Sequence, residues 1–104
     1  MIGKIIVFRL LKRTNHNIVN QFCKRFYGQK TSSHKGKYRY RIRGLLDDIP
    51  YVKLIRGVII IHENNAKKIV RFLKKYNAEI YIRDIILTHK DEKSLQIQER
   101  KRNN

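Results

Sequence analysis

The ten residues VKLIRGVIII, at positions 52–61, form the strongest β-strand pattern in the chain. They are almost continuously apolar and rich in β-branched side chains, which is typical of a strand that is covered on both faces. Such a strand belongs in the middle of a sheet and not at its edge. The sequence therefore predicts a central strand over residues 52–61.

Two further strands and two helices follow from the periodicity of apolar residues. Residues 2–11 are β-branched and apolar, and residues 78–87 begin with apolar–polar alternation, so both segments are predicted strands. Apolar residues recur at helical spacing in residues 14–27 and 64–76, which predicts two amphipathic helices. Gly28 is placed to end the first of these helices.

Residues 37–43, KYRYRIR, alternate strictly and predict a half-buried strand after a polar loop at 28–36. Tyr38, Tyr40 and Ile42 would share one face, and we expect the two tyrosines to belong to the core rather than to a stacking surface. The opposite face would carry the cations Lys37, Arg39, Arg41 and Arg43.

The predicted order of elements is βαββαβ, which indicates an α+β fold of the ferredoxin-like type. We expect an antiparallel sheet with both helices on one face, the first and third strands being central. Residues 1–88 would form a single basic domain. Residues 89–104 are charged and polar, and would be a short helix or a frayed tail.

The second face of such a sheet would be open. Arg9 from the first strand and Tyr81 and Arg83 from the last could lie on it, together with apolar residues. A basic and partly apolar face of this kind is expected to be a nucleic-acid platform or a dimer interface. The apolar candidates are Ile5, Val7, Ile55 and Ile59.

The order of elements resembles that of the RNA recognition motif. The third strand of that family carries a basic–Gly–aromatic pattern, and Arg56 and Gly57 stand in the corresponding place here. The segment IVFRL at 6–10 is loosely similar to the family's first strand. The aromatic residues of the third-strand pattern are absent, so the resemblance covers the order of elements, and Gly57 could instead mark a bulge or a close approach of backbone.

Charge is the strongest functional indication. The chain carries 25 lysines and arginines against 8 aspartates and glutamates, a formal net charge of +17 over 104 residues. Residues 1–46 hold twelve of these cations and no acid. This composition excludes an ordinary acidic enzyme and favours a polyanionic partner, namely RNA or DNA, with RNA slightly preferred.

The loop and strand at 30–43, KTSSHKGKYRYRIR, concentrate this charge. Arginine forks bind phosphate at two points, lysines neutralise it, and serine hydroxyls can hydrogen-bond to it. Protection of an edge strand by charge is the alternative explanation. The predicted phosphate-binding residues are Lys12, Arg13, Lys24, Arg25, Lys30, Ser32, Ser33, His34, Lys35, Lys37, Arg39, Arg41, Arg43 and Arg83.

Two other functions remain open at this stage. His34 could act as a general base in a metal-independent nuclease, because a histidine titrates near neutral pH and cations surround it. Alternatively, the chain could be a structural component of a ribonucleoprotein complex. A homodimer formed through sheet edges or open faces is compatible with either function.

No cofactor or metal is expected. The single cysteine, Cys23, cannot form an intramolecular disulfide and fits a small buried hydrophobe. Asp47 and Asp48 precede a proline and are expected to form a turn rather than a metal site. The apolar N-terminal stretch is broken by Lys4 and Arg9, so we expect no membrane association and a cytoplasmic location. The cations of the second helix are expected to form a solvated face.

Overall fold

The computed structural model describes residues 1–33 and 38–102. Over this range the chain is an α+β protein with a four-stranded antiparallel sheet, a two-stranded sheet and three α-helices. The elements are β1 (Ile2–Arg9), α1 (His16–Tyr27), β2 (Gln29–Ser33), β3 (Tyr38–Ile42), β4 (Tyr51–Ile55), β5 (Val58–His62), α2 (Ala66–Lys75), β6 (Glu79–Ile86) and α3 (His89–Arg102).

The chain divides into two compact units. The sheet unit consists of residues 1–13 and 49–104, and the hairpin unit consists of residues 14–48. The sheet unit contains the four-stranded sheet with α2 and α3, whereas the hairpin unit contains α1, the β2–β3 hairpin and a short 3₁₀ helix, Leu45–Asp48.

The four-stranded sheet has the strand order β4-β5-β1-β6, with antiparallel pairing throughout. In β1, Ile5 lies opposite Ile60 of β5 and Arg83 of β6, while Ile6 lies opposite Ile59 and Ile82. Residues directly opposite one another share a face of the sheet, and successive residues alternate between faces. Ile59 therefore lies on the face opposite Ile5, and not with it as the sequence suggested.

The predicted single strand at 52–61 is a hairpin. β4 ends at Ile55, β5 begins at Val58, and Arg56 with Gly57 forms the turn. Gly57 has φ +83°, and a Cβ atom at this position would lie 2.5 Å from the carbonyl oxygen of Phe8. The Gly57 carbonyl accepts a hydrogen bond of 2.8 Å from the Phe8 amide, so a glycine is needed where the turn approaches β1.

The predicted strand at 37–43 does not join the four-stranded sheet. Its residues 38–42 form β3, which pairs with residues 29–33 of the predicted loop, now β2. Neighbouring segments pair at a low entropic cost because few residues separate them in the sequence. Tyr40 is 55% exposed, so the expectation that it belongs to the core is wrong: a two-stranded hairpin offers it no buried layer.

Helices cover both faces of the four-stranded sheet. A groove lined jointly by Lys4 and Ile82 of the sheet and by Val70 and Arg71 places α2 on one face. On the other face, which we expected to be open, Leu95 of α3 is fully buried and clusters with residues of the sheet. This cluster contains Ile60, Leu87, Leu95, Ile5, Val52 and Ile85.

Of the two alternatives for residues 89–104, the structure shows the helix over the described part of the segment, residues 89–102. Thr88 and Asp91 form a reciprocal cap at its start, in which the Asp91 amide donates to Thr88 Oγ1 at 3.1 Å. Farther along the helix, the Gln98 side chain forms two hydrogen bonds with the backbone of Tyr51 on the edge strand β4. It donates to the Tyr51 carbonyl oxygen at 2.6 Å and accepts from the Tyr51 amide at 2.9 Å. Because most residues of this segment are charged or polar, its sequence pattern did not indicate that α3 buries Leu95.

The hairpin unit has a small aromatic core on α1. Phe22 and Phe26 are buried and stack with ring centroids 5.2 Å apart, and Tyr27 meets Phe26 edge-on at 5.0 Å. Asn15 caps the start of α1, because its side chain accepts from the Asn17 amide at 2.8 Å. The predicted helix at 14–27 is therefore confirmed within two residues, whereas Cys23 is only half-buried.

Candidate nucleic-acid interface

The hairpin unit is strongly basic. Residues 14–48 contain eight lysines and arginines and only two carboxylates, Asp47 and Asp48, giving the unit a formal charge of +6. Both carboxylates lie in the 3₁₀ helix that follows β3, within the turn that the sequence predicted. Each forms an ion pair with an arginine of the preceding segment.

Asp47 is held by several donors. Arg41 Nη2 donates to Asp47 Oδ1 at 2.7 Å, and Arg41 Nε lies 3.1 and 3.2 Å from the two carboxylate oxygens. The Gly44 amide donates to Asp47 Oδ2 at 2.8 Å. These hydrogen bonds, chiefly those from Arg41, hold the pKa of the Asp47 carboxyl group below its usual range.

The same arginine fastens the hairpin to the end of α1. Arg41 Nη2 also donates to the Tyr27 carbonyl oxygen at 2.7 Å. The sequence predicted Arg41 as a phosphate ligand, but its guanidinium is engaged in this internal contact. Arg43 pairs with Asp48, and both side chains of that pair are more than 60% exposed, so it is a weak surface interaction.

Three predicted cations of the hairpin unit are exposed and form no ion pair with a carboxylate of the described residues. Lys24 and Arg25 lie in the last turn of α1, and Lys30 lies on β2, where the register places it opposite Arg41. The carboxylates of this unit are already taken by Arg41 and Arg43. The three cations therefore retain charge that is available to an external anion.

The other predicted residues divide between the units. In the hairpin unit, Ser32 and Ser33 lie in β2, and Arg39 lies in β3 opposite Ser32. His34, Lys35 and Lys37 lie outside the described residues. Lys12 and Arg13, in the turn after β1, and Arg83, on β6, are exposed and belong to the sheet unit. The predicted set is thus distributed over two separate units.

The α3 face of the sheet carries a second group of candidate residues. Register places Tyr81 opposite Val7 and Glu79 opposite Arg9, so Arg9, Val7, Tyr81 and Arg83 share one face as the sequence predicted. Tyr81 is 51% exposed and Val7 is 38% exposed. Helix α3 therefore leaves this end of the face uncovered.

A hydrogen-bonded chain organises these residues. The Tyr81 hydroxyl donates to Glu79 Oε1 at 2.6 Å, and Arg9 Nε donates to Glu79 Oε2 at 2.6 Å. The bonds from Tyr81 and Arg9 lower the pKa of Glu79, and its carboxylate in turn raises the pKa of the Tyr81 phenol. Arg9 and Glu79 are 70 residues apart, so sequence inspection could not have paired them.

Helix α2 borders a groove of about 590 Å³ on the other face of the sheet. Its lining includes Lys67, Arg71 and Lys74 of the helix, and Lys4 of β1. Lys4 forms an ion pair with Asp84, directly opposite it on β6, and this contact raises the pKa of the Lys4 ammonium. The groove is open, with apolar walls from Val70 and Ile82, as at the margin of a solvated helix.

Two further observations bear on chemistry. In the part of the chain that the structure describes, no three histidine, cysteine or carboxylate side chains converge in a way that could hold a metal ion. Within those same residues, no helix has the length and apolar character required to cross a bilayer.

Comparison of the chain with protein-family models, with curated proteins and with solved structures finds no match.

Proposed function

We propose that this protein binds nucleic acid through its phosphate backbone, with RNA slightly favoured over DNA. The exposed cations of the hairpin unit, Lys24, Arg25 and Lys30, make the main phosphate contacts in this proposal. Ser32, Ser33, His34, Lys35, Lys37 and Arg39 are further phosphate-binding residues in this proposal, as the sequence predicts. Lys12, Arg13 and Arg83 of the sheet unit supply further phosphate contacts.

One observation supports this proposal above the others: the only two carboxylates of the hairpin unit are both paired internally. A purely structural use of charge would bring acids and bases together in comparable numbers. Here the two acids pair with Arg41 and Arg43. The remaining lysines and arginines therefore leave the hairpin unit with an excess of positive charge. Counterion release from a bound polyanion is the physical gain that such a surface offers.

We further propose that the sheet unit has a ferredoxin-like arrangement in which β4, and not the segment 37–43, takes the place of the second strand. The observed order β4-β5-β1-β6 is compatible with it. In this interpretation the β2–β3 hairpin is an insertion between α1 and β4. The basic hairpin is then an addition to the sheet rather than a part of it.

The test measures binding of labelled single-stranded RNA, single-stranded DNA and duplex DNA over a series of salt concentrations. Each phosphate contact contributes roughly 0.7 to 0.9 to the slope of log K against log salt. The triple variant Lys24→Gln/Arg25→Gln/Lys30→Gln should therefore lower the slope by about 2 to 3 and weaken binding to all three ligands.

The matched control is Lys68→Gln/Arg71→Gln/Lys75→Gln, which removes the same number and kind of charges from exposed positions on α2. Its slope should change by less than about 1, because only the general field of the protein is altered. Equal effects of the two variants would contradict a specific role for the hairpin unit. Absence of binding near physiological salt would overturn the proposed function, and shortening of the label would point to a nuclease instead.

A further inference from the structure

The uncovered end of the α3 face presents an aromatic ring between arginines. We call this group the Tyr81 platform and define it by Val7, Arg9, Glu79, Tyr81 and Arg83. All five lie on one face of neighbouring strands, because β1 and β6 pair with Val7 opposite Tyr81 and Arg9 opposite Glu79. It belongs entirely to the sheet unit.

The ring of Tyr81 is anchored without being buried. Its hydroxyl is held by Glu79 at 2.6 Å, and Glu79 is held by Arg9 at 2.6 Å, yet half of the tyrosine remains exposed. An anchored ring loses little further conformational freedom when a flat ligand stacks on it. The arrangement thus resembles a prepared contact surface rather than a side chain extending freely into solvent.

Charge decides what could occupy this surface. Arg9 and Arg83 are exposed beside the ring, but Arg9 and Glu79 neutralise each other, so Arg83 leaves the platform with a net charge of +1. A second copy of the chain would bring the same arginines and the same net charge of +17 against them. An anion with flat apolar parts complements the platform, whereas a homodimer through it brings like charges together.

We propose that the Tyr81 platform binds unpaired bases of a single-stranded nucleic acid, one base stacking on Tyr81 while Arg83 contacts a flanking phosphate. Stacking on an aromatic ring tolerates any base, since every base has a π-face, and a base within a duplex cannot reach it. The platform would therefore add a preference for single strands to the phosphate binding proposed above, on which this inference rests.

A spectroscopic reporter can test stacking directly. The chain contains no tryptophan, so Tyr81→Trp introduces a single tryptophan at the platform, whose emission can be excited separately from that of the remaining tyrosines. Single strands of RNA or DNA of about 12 nucleotides should quench its emission on binding, and a blunt duplex of the same length should not. Bound single strand without quenching would overturn the proposal. An emission change with protein concentration alone would assign the platform to a second copy of the chain.

Affinity measurements supply the second arm. Tyr81→Ala should weaken single-strand binding by roughly 5-fold to 100-fold, and Tyr81→Phe, which keeps the ring, by no more than about 3-fold. Duplex binding should be unchanged in both variants. If Tyr81→Ala leaves single-strand binding intact while the Lys24/Arg25/Lys30 variant weakens it, the platform proposal fails and the proposed function stands. If neither ligand binds, both fail.

Discussion

Asp47 shows how one carboxylate can organise a unit that contains only one other acid, Asp48. It accepts hydrogen bonds from Arg41 and from the Gly44 amide, while Arg41 also reaches the Tyr27 carbonyl. One ion pair therefore connects the end of α1, strand β3 and the 3₁₀ helix. Because Asp47 is only 21% exposed, the contact is better shielded from water than the neighbouring Arg43–Asp48 pair.

Replacing Asp47 with a residue that does not titrate should remove part of the pH dependence of the unfolding free energy. The pKa of Asp47 is lower in the folded protein than in the unfolded chain, so its contribution is present above about pH 4 and is lost as the pH falls through the folded pKa. Asp47→Asn should cost about 1–3 kcal/mol at neutral pH, because Arg41 loses its charged partner.

Urea unfolding of both proteins at several pH values checks this expectation. The difference between the two unfolding free energies should be constant between about pH 5 and 7 and should shrink below about pH 4. Asp48→Asn is the control, since its carboxylate is 66% exposed, and its effect at neutral pH should stay within about 1 kcal/mol. A difference that grows on acidification would contradict the assignment.

At the scale of elements, α3 is the clearest structural addition to the sheet. It contributes Leu95 to the cluster with Ile60 and Leu87, and Gln98 to the backbone of β4. The helix is polar almost throughout, so it has little reason to form except by packing on the sheet. Its position also fixes which end of the sheet face stays uncovered around Tyr81.

Truncation of the buried leucine should therefore destabilise the sheet unit. Leu95→Ala should reduce the free energy of unfolding by about 2–5 kcal/mol, as is usual for a fully buried leucine. Ile97→Ala, in the same helix but 44% exposed, should change it by no more than about 1 kcal/mol. Thermal and urea unfolding would measure both, and equal effects would show that α3 is not docked through Leu95.

At the scale of the whole molecule, the net charge of +17 acts on every element at once. Described ion pairs such as Arg9–Glu79 and Lys4–Asp84 relieve it locally, but most cations have no carboxylate available, because cations outnumber acids by about three to one. Such an excess opposes compaction through self-repulsion and favours any state in which anions are close.

Salt should therefore stabilise the fold itself. Between about 0.01 M and 0.1 M NaCl the Debye length falls from about 30 Å to about 10 Å, so the melting temperature should rise by several degrees. The Lys68→Gln/Arg71→Gln/Lys75→Gln variant, with three fewer positive charges, should show a smaller rise. Differential scanning calorimetry measures both, and a melting temperature that falls with salt would indicate that attractive ion pairs dominate.

The strongest parts of the fold could be predicted because they depend on local patterns. Helical spacing at Ile69 and Leu73 gave α2, and β-branched runs gave β1 and β6 almost to their ends. The turn at Gly57 was more difficult to predict, because the apolar run that Arg56 interrupts is compatible with one strand or with two. Only the contact with Phe8, 49 residues earlier in the chain, shows why the chain reverses there.

The sequence by itself determined the α+β class, the extended or helical state of most segments, and the excess of positive charge, since these depend on composition and short-range periodicity. The tertiary structure alone decided which strands share a sheet, that Arg9 pairs with Glu79, and that α3 packs on one face of the sheet. These properties depend on contacts between residues distant in sequence, whose free energies are set by packing and not by local propensity.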